Sequence, residues 1–379
     1  MKTYPRVLTI AGSDSGGGAG IQADIKSISA TGSYAASAIT AVTVQNTLGV
    51  EAVHPVPVDV ISAQIDCVLS DIGADAIKIG MLHSAEVVLA VRDALLRNRA
   101  RNIVLDPVMV ATSGHRLIEE SAIRVLASEL MPLARVITPN IPEAEILIGR
   151  QIKHQSELSE AARELSRKAS SGGLSGSRAS VSADSPETAD SSGSVIAGSR
   201  ASVIADSPEA ADSSVSVIAG SRASVIADSP EAADLSGSVI AGSRSSVRAD
   251  SPEAADLSGS VIAGLTGNPS DAPTANPSAV RVSVLMKAGH LTDDRLVDIF
   301  YNAEEDRIVE LPSARIHTQN THGTGCTLSS AFASYLAQGY ALDDAARAAT
   351  EYIHAAILSG AEYQIGHGHG PVNHFWRRS

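Results

Sequence analysis

The chain has 379 residues, and its 42 Asp and Glu against 29 Lys and Arg give a formal net charge of −13. Residues 170–279 hold thirteen acidic residues and five Arg, a net of −8, which leaves −5 for the rest of the chain. An acidic chain without a basic stripe gives no reason to expect a nucleic-acid partner.

The start of the chain, "MKTYPRVLTIAGSD", lacks the apolar segment of a signal peptide. No apolar run approaches the ~18 residues that a membrane-spanning helix needs. The two cysteines, Cys67 and Cys326, are too few for a disulfide framework and fit a reducing compartment. We therefore expect a cytoplasmic protein with no membrane partner.

Short β-rich runs alternate with helix-like stretches along residues 1–169 and 280–379. The strand-like runs, each followed by Gly, Pro, Asp or Asn, are "RVLTIAG", "ADAIKIG", "NIVLDPV", "ARVITPN" and "VSVLMKAG". Near-continuous apolar strands that alternate with amphipathic helices predict an α/β fold, with a mostly parallel central sheet covered by helices on both faces. Ligands of such sheets bind beyond the carboxyl ends of the strands, where we expect the chemistry.

The first two strand-end motifs are "AGSDSGGGAGIQAD" (residues 11–24) and "AVTVQNTLGV". Glycines in the first motif permit close backbone approach to a ligand, although it matches neither a Walker loop nor G-x-G-x-x-G. Asp24 follows in the next helix, where a solvated carboxylate is the simplest reading. Gln45 follows the strand-like run of the second motif, and its amide can donate and accept in one plane, which suits an aminopyrimidine edge. A surface turn residue is the alternative for Gln45.

Oxygen ligands follow the next two strands, in "DPVM" and "TPNIPEAE". Mg²⁺ usually takes one or two carboxylates beside substrate phosphates, which makes Asp106, Asn140 and Glu143 candidates for a metal and phosphate site. A helix cap is the alternative, because Asn140 followed three residues later by Glu143 is a capping-box pattern. Both roles can coexist.

Residues 170–279 are a different kind of sequence. "VIAG" recurs at 195, 217, 239 and 261, and "SPE" at 185, 207, 229 and 251, so the repeat is 22 residues long. The segment is rich in Ser, Ala, Gly and Asp and holds no aromatic residue, so little apolar surface offsets the entropy of ordering it. We predict a low-complexity insert, mostly disordered, in a helix-to-strand surface loop. A β-solenoid of stacked "SVIA" patches and a binding module are the alternatives.

After the insert, "MKAGH" places Lys287 at a strand end, and "NTHGTGC" leads into the apolar run "TLSSAFASYLAQG". A helix that begins at the Gly323–Cys326 turn would direct backbone N–H groups and its positive end toward one point. That arrangement suits a phosphoryl group in its charged transition state. The terminal "IGHGHGPVNHF" is expected to fold over the nucleotide or substrate region, because flanking glycines and missing carboxylates argue against a metal site there.

Together these motifs resemble the ribokinase-like superfamily, and more closely the hydroxymethylpyrimidine/phosphomethylpyrimidine kinases of thiamine biosynthesis. The resemblance runs in order through about 1–169 and 280–379, which implies one discontinuous kinase domain interrupted by the 170–279 insert. It rests on the glycine motif and on "TAVTVQNTLGV", "KIGML", "DPVM", "TPNIPEAE", "MKAGH", "THGTGCTLSSA" and "GHGHGPVNHF". Cys326 and the histidine-glycine tail distinguish the chain from sugar kinases, which place an aspartate after the turn.

The resemblance implies phosphorylation of 4-amino-5-hydroxymethyl-2-methylpyrimidine, and then of its monophosphate, with ATP as co-substrate and Mg²⁺ as cofactor. It assigns the binding of the pyrimidine to Gln45, Gly12, Ala19, Met81 and Val108. It places Asp24, Lys287 and Cys326 around the transferring phosphate, and Asn140, Lys287, Gly323, Thr324 and Gly325 at ATP. Asp106 and Glu143 would bind the metal. Related folds often dimerise, so a homodimer is a further expectation.

The resemblance leaves the thiol to be explained. The second phosphorylation has an ionised phosphate as acceptor, which a fixed aspartate would repel, whereas a thiol is neutral by default. The pKa of a thiol can, however, fall at a helix N-terminus. Two other functions stay open: a pyridoxal or pyridoxine kinase of the same superfamily, and a binding protein that uses the repeats on a kinase scaffold.

Overall fold

Nine strands form one sheet in the computed structural model, which describes residues 3–109, 118–171, 281–291 and 295–378 and eight short strands between 181 and 263. The strands of this sheet are β1 (Arg6–Asp14), β2 (Tyr34–Gln45), β3 (Val50–Pro55), β4 (Ala76–Ile79), β5 (Ile103–Leu105), β6 (Val136–Ile137), β15 (Ser283–Met286), β16 (Arg295–Asn302) and β17 (Arg307–Ala314). Their order across the sheet is β17-β16-β15-β6-β5-β4-β1-β2-β3.

The six central strands are parallel, and an antiparallel strand or hairpin closes each side. β1 pairs in parallel with β2 and β4, and parallel pairing continues through β5 and β6 to β15. β3 pairs antiparallel with β2, and β16 and β17 continue antiparallel from β15. The predicted α/β class, with a mostly parallel sheet, is confirmed.

Eight α-helices accompany this sheet in the described part of the chain. They are α1 (Gly20–Ala30), α2 (Val58–Asp71), α3 (Ala85–Arg97), α4 (Glu120–Val125), α5 (Ile141–Ile148), α6 (Leu158–Ser170), α7 (Thr324–Ala337) and α8 (Leu342–Gly360). The chain moves from β1 to β2 in one direction and from β4 to β15 in the other. Because such crossovers are right-handed, the two directions place helices on opposite faces.

Helices α1, α7 and α8 bury one large apolar cluster against the sheet. Ile28, Phe332 and Tyr352 are fully buried in it, and the rings of Phe300 and Phe332 lie 5.7 Å apart. Burying each such side chain contributes about 1.5–3 kcal/mol before the entropy of ordering is counted. Within the described residues, no helix is both long enough and apolar enough to cross a bilayer.

The reversal of chain direction beside β1 produces a crevice at the carboxyl edge of the sheet. β1 ends at Asp14, and residues that follow β4, β5 and β15 at the same edge include Met81, Asp106 and Lys287. Asn140 and Lys287 are themselves paired as an isolated parallel bridge. The sheet therefore collects at one edge side chains that are up to 273 positions apart, from Asp14 to Lys287.

The chain divides into two units, residues 1–173 with 278–379 and residues 174–277. In the second unit the described strands are β7 (Val181–Ser182), β8 (Ser194–Ala197), β9 (Ala201–Ala205), β10 (Ser216–Ala219), β11 (Ala223–Ala227), β12 (Val239–Ala241), β13 (Ser246–Ala249) and β14 (Val261–Ala263). They form two parallel four-stranded sheets, β14-β12-β10-β8 and β13-β11-β9-β7.

Pairing in the second unit follows the sequence repeat, because Val195 pairs with Val217, and Val217 with Val239, at an offset of 22 residues. This is the pairing that the stacked-solenoid alternative expects. The prediction of a mostly disordered insert covers all of residues 170–279, most of which lie outside the described residues, so that prediction and the 170–279 boundaries stay predictions. The two ends that flank the insert in the first unit are adjacent, since Val282 N donates to Ser170 Oγ at 2.9 Å.

Candidate active site

A cleft of about 640 Å³ lies at the carboxyl edge of the sheet. All of the residues that the sequence assigned to a site line it, except Asp24. They are Gly12, Ala19, Gln45, Met81, Asp106, Val108, Asn140, Glu143, Lys287, Gly323, Thr324, Gly325 and Cys326. The structure therefore brings the pyrimidine, phosphate and metal candidates together in one cavity, although their individual roles stay predictions.

The start of α7 forms the middle of the cleft. Gly323 caps the helix with φ of 79°, and a Cβ there would lie 1.8 Å from the Gly18 carbonyl oxygen, so the turn requires glycine. A Cβ on Gly325 would lie 3.3 Å from Lys287 Nζ and 3.4 Å from Asp106 Oδ2. The first turn of α7 and the Lys287 ammonium thus converge, which is the composition of an anion site.

Lys287 is held in place by Asp106. Its Nζ donates to Asp106 Oδ1 at 3.0 Å, and Thr138 Oγ1 donates to the same oxygen at 2.9 Å. Burial alone would lower the pKa of Lys287, but the charges of Asp106 and Glu143 outweigh it and raise the pKa above its ordinary value. Lys287 therefore stays positively charged beside the helix start.

Asn140 and Glu143 form the predicted capping box at the start of α5. Asn140 Oδ1 accepts from Glu143 N at 2.9 Å, and Glu143 Oε2 accepts from Asn140 N at 2.8 Å. Burial raises the pKa of Glu143 to about 7, and repulsion from Asp106 adds to that rise while Lys287 opposes it. The capping alternative is thus observed.

The same two carboxylates also suit a divalent cation. Asp106 and Glu143 are buried and repel each other, a cost that a bound cation would relieve. Among the described residues, no group of three or more His, Cys, Asp or Glu could hold a metal by itself. Mg²⁺ does not require such a group, because it takes one or two carboxylates together with water and substrate phosphates. The donor set fits Mg²⁺ bound jointly with a nucleotide.

Asp24 lies beneath the cleft instead of in its wall. It is fully buried, and Lys78 Nζ donates to both of its oxygens at 2.9 Å. Thr9 Oγ1 and Ser330 Oγ donate to it at 2.6 and 2.7 Å. The alternative of a solvated helix carboxylate is therefore wrong. A role for Asp24 at the transferring phosphate stays a prediction, and the structure does not bring it into the cleft.

Lys78 is a residue that the sequence reasoning missed. The sequence does mark it, because a single lysine within the apolar strand-like run "ADAIKIG" indicates a buried charge that needs a partner. Burial by itself lowers the pKa of Lys78, but Asp24, Cys326 and Asp106 outweigh that effect and raise it. A buried ammonium group thus lies close enough to Cys326 to act on its thiol electrostatically.

Cys326 is protonated at neutral pH. Burial raises the pKa of its thiol to about 11, with Asp24 and Asp106 adding to the rise and the Lys78 charge and the Gly20 N–H opposing it. The start of α7 therefore does not activate this thiol as a nucleophile. Its neutral state agrees with the sequence argument that this residue must tolerate two phosphoryl acceptors, a neutral alcohol and an ionised phosphate.

His322 and Asp14 are further cleft residues that the sequence reasoning did not single out. His322 Nε2 lies 2.9 Å from Asp14 Oδ2 and 3.4 Å from Gln45 Nε2. Asp14 also accepts from the backbone N–H groups of Gly16, Gly18 and Ala19, at 2.8, 3.0 and 2.7 Å. The glycine motif therefore wraps the Asp14 carboxylate, which in turn holds His322 beside Gln45.

The histidine-glycine tail packs next to this pair. His322 N donates to the Gly370 carbonyl oxygen at 3.0 Å, and His369 N donates to the Thr47 carbonyl oxygen at 2.9 Å. The tail thus lies against the segment that follows Gln45, at the substrate end of the cleft. His374 is buried behind α7, 3.1 Å from Thr327 Oγ1, and burial lowers its pKa to about 4.

The opposite end of the cleft is largely apolar and was not predicted. Its lining comes from β16, the segment after β17, α7 and α8, and includes Leu296, Ile316, Leu328, Thr350, Ile353 and Ile357. Asp298 lines the same end, and burial raises its pKa to about 6. An apolar slot beyond an anion site has the form that a nucleoside phosphate requires.

Comparison with known proteins agrees with this geometry. The family model described as phosphomethylpyrimidine kinase matches residues 14–180 and 217–373. The hydroxymethylpyrimidine/phosphomethylpyrimidine kinase of Rhizobium meliloti is 35% identical over 370 residues, which cover 98% of this chain and 97% of that protein.

Two solved structures share the fold. The phosphomethylpyrimidine kinase of Clostridium difficile aligns with a TM-score of 0.54 and 29% identity, over 93% of this chain and 99% of that one. The Bacillus subtilis pyridoxal kinase, solved as an ADP complex, aligns with a TM-score of 0.63 and 25% identity over 99% of both chains. By sequence, fold and the layout of its cleft, this chain belongs to the phosphomethylpyrimidine kinase family of ribokinase-like enzymes.

Proposed function

We propose that this chain uses ATP to phosphorylate 4-amino-5-hydroxymethyl-2-methylpyrimidine, and then its monophosphate, in thiamine biosynthesis. One observation carries the proposal: a single cleft is lined by the planar amide of Gln45, by Lys287 and by the start of α7. The amide suits the ring, and the ring's hydroxymethyl group would meet the transferred phosphate beside Lys287 and the start of α7. Two cysteines that are far apart in sequence support a cytoplasmic location.

In this proposal the protein acts by positioning and by charge stabilisation, because phosphoryl transfer proceeds through a loose transition state. Lys287 and the N–H groups of Gly325 and Cys326 would hold the transferring group. Asp106 and Glu143 would hold Mg²⁺ together with the ATP phosphates. When bound, the ion supplies positive charge that neutralises the phosphate oxygens. The apolar slot at Thr350, Ile353 and Ile357 would take the base.

A direct assay tests the proposal. Purified protein with Mg²⁺-ATP and the aminopyrimidine alcohol should give a phosphomonoester and then a diphosphate, both resolved by phosphorus NMR. Accumulation of the monoester alone would show that the chain does not catalyse the second phosphorylation. ATP turnover without any phosphorylated pyrimidine would refute the proposal.

A pyridoxal or pyridoxine kinase is the second candidate, and the similarity to a pyridoxal kinase structure favours keeping it. Competition between the aminopyrimidine alcohol and pyridoxine in one ATP-coupled assay separates the two. We expect kcat/KM to be higher for the aminopyrimidine, because its ring edge matches the amide of Gln45. A higher value for pyridoxine would favour the alternative.

Replacing Cys326 with Asp should spare the alcohol step better than the phosphate step. A fixed carboxylate in a poorly screened pocket repels the ionised acceptor but not the neutral one. We expect the ratio of the two kcat/KM values to shift by about tenfold or more, the ratio that ~1.4 kcal/mol of repulsion produces. Cys326→Ser, which stays neutral, is the matched control and should leave the ratio unchanged. Equal losses on both acceptors in the Asp variant would contradict this explanation of the thiol.

We also propose a homodimer formed through the β2–β3 hairpin. Val42 and Val44 project from one face of the hairpin and are 47% and 53% exposed, and Leu48 at its turn is 68% exposed. Apolar side chains on the edge of a sheet favour association. Analytical ultracentrifugation should find a dimer, which Val44→Lys converts to monomer. Val60→Lys, a similar change at a 43% exposed valine of α2, should leave the dimer intact. A monomeric parent protein would exclude the proposal.

Replacing residues 172–278 with a six-residue Gly/Ser linker should preserve catalysis. The hydrogen bond between Val282 and Ser170 shows that a short connection can join the flanking elements. Shortening the loop about eighteenfold recovers roughly 2–3 kcal/mol of closure entropy, so the melting temperature should stay equal or rise. The assay compares kcat and KM of the two forms. Loss of most turnover in a folded, shortened enzyme would show that the repeats contribute to catalysis.

A further inference from the structure

The environment of Asp14 fixes where the proton of His322 lies. Burial alone would raise the pKa of Asp14, but hydrogen bonds from His322, Ala19 and Gly16 outweigh it and lower the pKa. Asp14 is therefore ionised and can only accept hydrogen bonds. His322 Nε2, 2.9 Å from Asp14 Oδ2, must carry a proton and donate it.

This assignment constrains Gln45. Gln45 Nε2 lies 3.4 Å from His322 Nε2, and both nitrogens would then be donors. At the other end of the amide, Gln45 Oε1 lies 3.1 Å from Thr43 Oγ1, whose proton is already donated to the Ser13 carbonyl oxygen at 2.7 Å. Donor faces donor and acceptor faces acceptor. A half-turn of the amide exchanges its oxygen and nitrogen: the nitrogen then donates to Thr43 Oγ1, and the oxygen faces the His322 Nε2–H, which it shares with Asp14 in a bifurcated contact.

We propose that Asp14 and His322 are positioning residues that fix the direction of the Gln45 amide, with its oxygen toward His322 and its nitrogen toward Thr43, and thereby select how the substrate ring binds. This inference rests on the proposed function. In that orientation the amide has one N–H and one oxygen lone pair left for a ligand, both in one plane. The oxygen lies on the His322 side and the N–H on the Thr43 side.

The order matters because the aminopyrimidine edge has a direction. Its ring nitrogen N3 accepts and its 4-amino group donates, so the amino group pairs with the amide oxygen on the His322 side. The hydroxymethyl group is bonded to the next ring carbon, C5, and therefore also lies on that side. His322 directly precedes the Gly323–Cys326 turn, so this pose directs the hydroxyl toward the anion site. The reversed amide would direct it away.

The tail supports His322 in this role from the backbone. His322 N donates to the Gly370 carbonyl oxygen at 3.0 Å, and His322 pairs with Pro371 as an isolated bridge. The imidazole is thus fixed at its main chain by the tail and at Nε2 by Asp14. A side chain held at both ends can impose one direction on the neighbouring amide.

The test compares two substrates of similar shape and opposite hydrogen-bond order. One is the 4-amino alcohol, and the other is its 4-oxo analogue, whose N3–H donates and whose carbonyl oxygen accepts. The measured quantity is the ratio of their kcat/KM values. The parent enzyme should prefer the amino substrate. His322→Leu frees the amide to turn, and the ratio should fall about threefold, because a shared contact of 3.4 Å is weaker than an ordinary hydrogen bond.

Two amide variants provide an internal comparison that does not depend on the Leu variant folding. His322→Gln places an N–H near the position of Nε2 and should keep the ratio, whereas His322→Asn is one methylene shorter and should lose it. His367→Leu makes the same change at an exposed histidine of the tail and should leave the ratio unchanged.

The outcomes separate this inference from the proposed function. If the parent enzyme does not phosphorylate the amino alcohol, the proposed function fails. If it does, and His322→Leu or His322→Asn keeps the parent ratio, the positioning role of His322 is overturned. A lower kcat/KM for both substrates by the same factor also overturns it, because a merely structural role would produce that result.

Discussion

Lys287→Met should lower kcat about 10²–10³-fold in a protein that still folds, the usual loss when one preorganised donor is removed from a developing charge. The ammonium lies against Gly325 at the start of α7 and within 3.0 Å of Asp106. Its removal takes the positive charge from the point where the phosphoryl group would pass. The remaining N–H groups of the turn preserve part of the rate.

Steady-state kinetics on the aminopyrimidine alcohol measures this effect. Lys153→Met makes the same substitution at an exposed lysine outside the cleft and should leave kcat unchanged. A circular dichroism melt confirms folding of both variants. The contradicting result is a folded Lys287 variant whose kcat stays within about threefold of the parent value. Such a change corresponds to less than about 1 kcal/mol of activation free energy, and it would mean that Lys287 does not stabilise the transferring group.

Asp24→Asn should lower the free energy of unfolding by about 3–5 kcal/mol, because it leaves Lys78 buried without its counter-charge. The two side chains are completely buried, with 2.9 Å between Lys78 Nζ and Asp24 Oδ1. Asparagine has nearly the volume of aspartate, so the decrease in the free energy of unfolding arises from the missing charge and not from altered packing. Urea denaturation measures the change.

Asp66→Asn is the matched control, because Asp66 and Arg97 form a 2.8 Å ion pair whose side chains are 42% and 47% exposed. An exposed pair contributes only about 0–1 kcal/mol. Adding Lys78→Met to Asp24→Asn should recover part of the lost stability, since neither charge of this buried pair remains. Equal effects of the Asp24 and Asp66 substitutions would contradict the assignment. The kcat of folded Asp24→Asn also tests the predicted role at phosphate.

The sequence predicted the sheet correctly because its signal is local. Apolar runs such as "ADAIKIG" and "NIVLDPV" are continuous, as strands buried on both faces must be. The carboxyl ends of parallel strands share one edge, so placing Asp106, Asn140 and Lys287 in one cleft follows from topology alone. The capping box at Asn140 and Glu143 was also readable, since it depends on a spacing of three residues.

Only the tertiary structure decided the groups that depend on distant partners. Lys78 and Asp24 are 54 positions apart, and His322 and Asp14 are 308 positions apart. No local pattern marks such pairs, because each member resembles an ordinary polar residue of its own element. The state of the Cys326 thiol depends in the same way on burial and on the charges around it, and not on its position at a helix start.

The sequence by itself thus determined the α/β class, the family and the edge of the sheet where the cleft lies. Short-range periodicity and strand-end chemistry carry that information. The structure decided that Asp24 supports the cleft from below, that His322 stands beside Gln45, and that Cys326 is a neutral thiol. Those properties arise from burial and from contacts across the fold, which bring charges close enough for the low-dielectric interior to make their interactions strong.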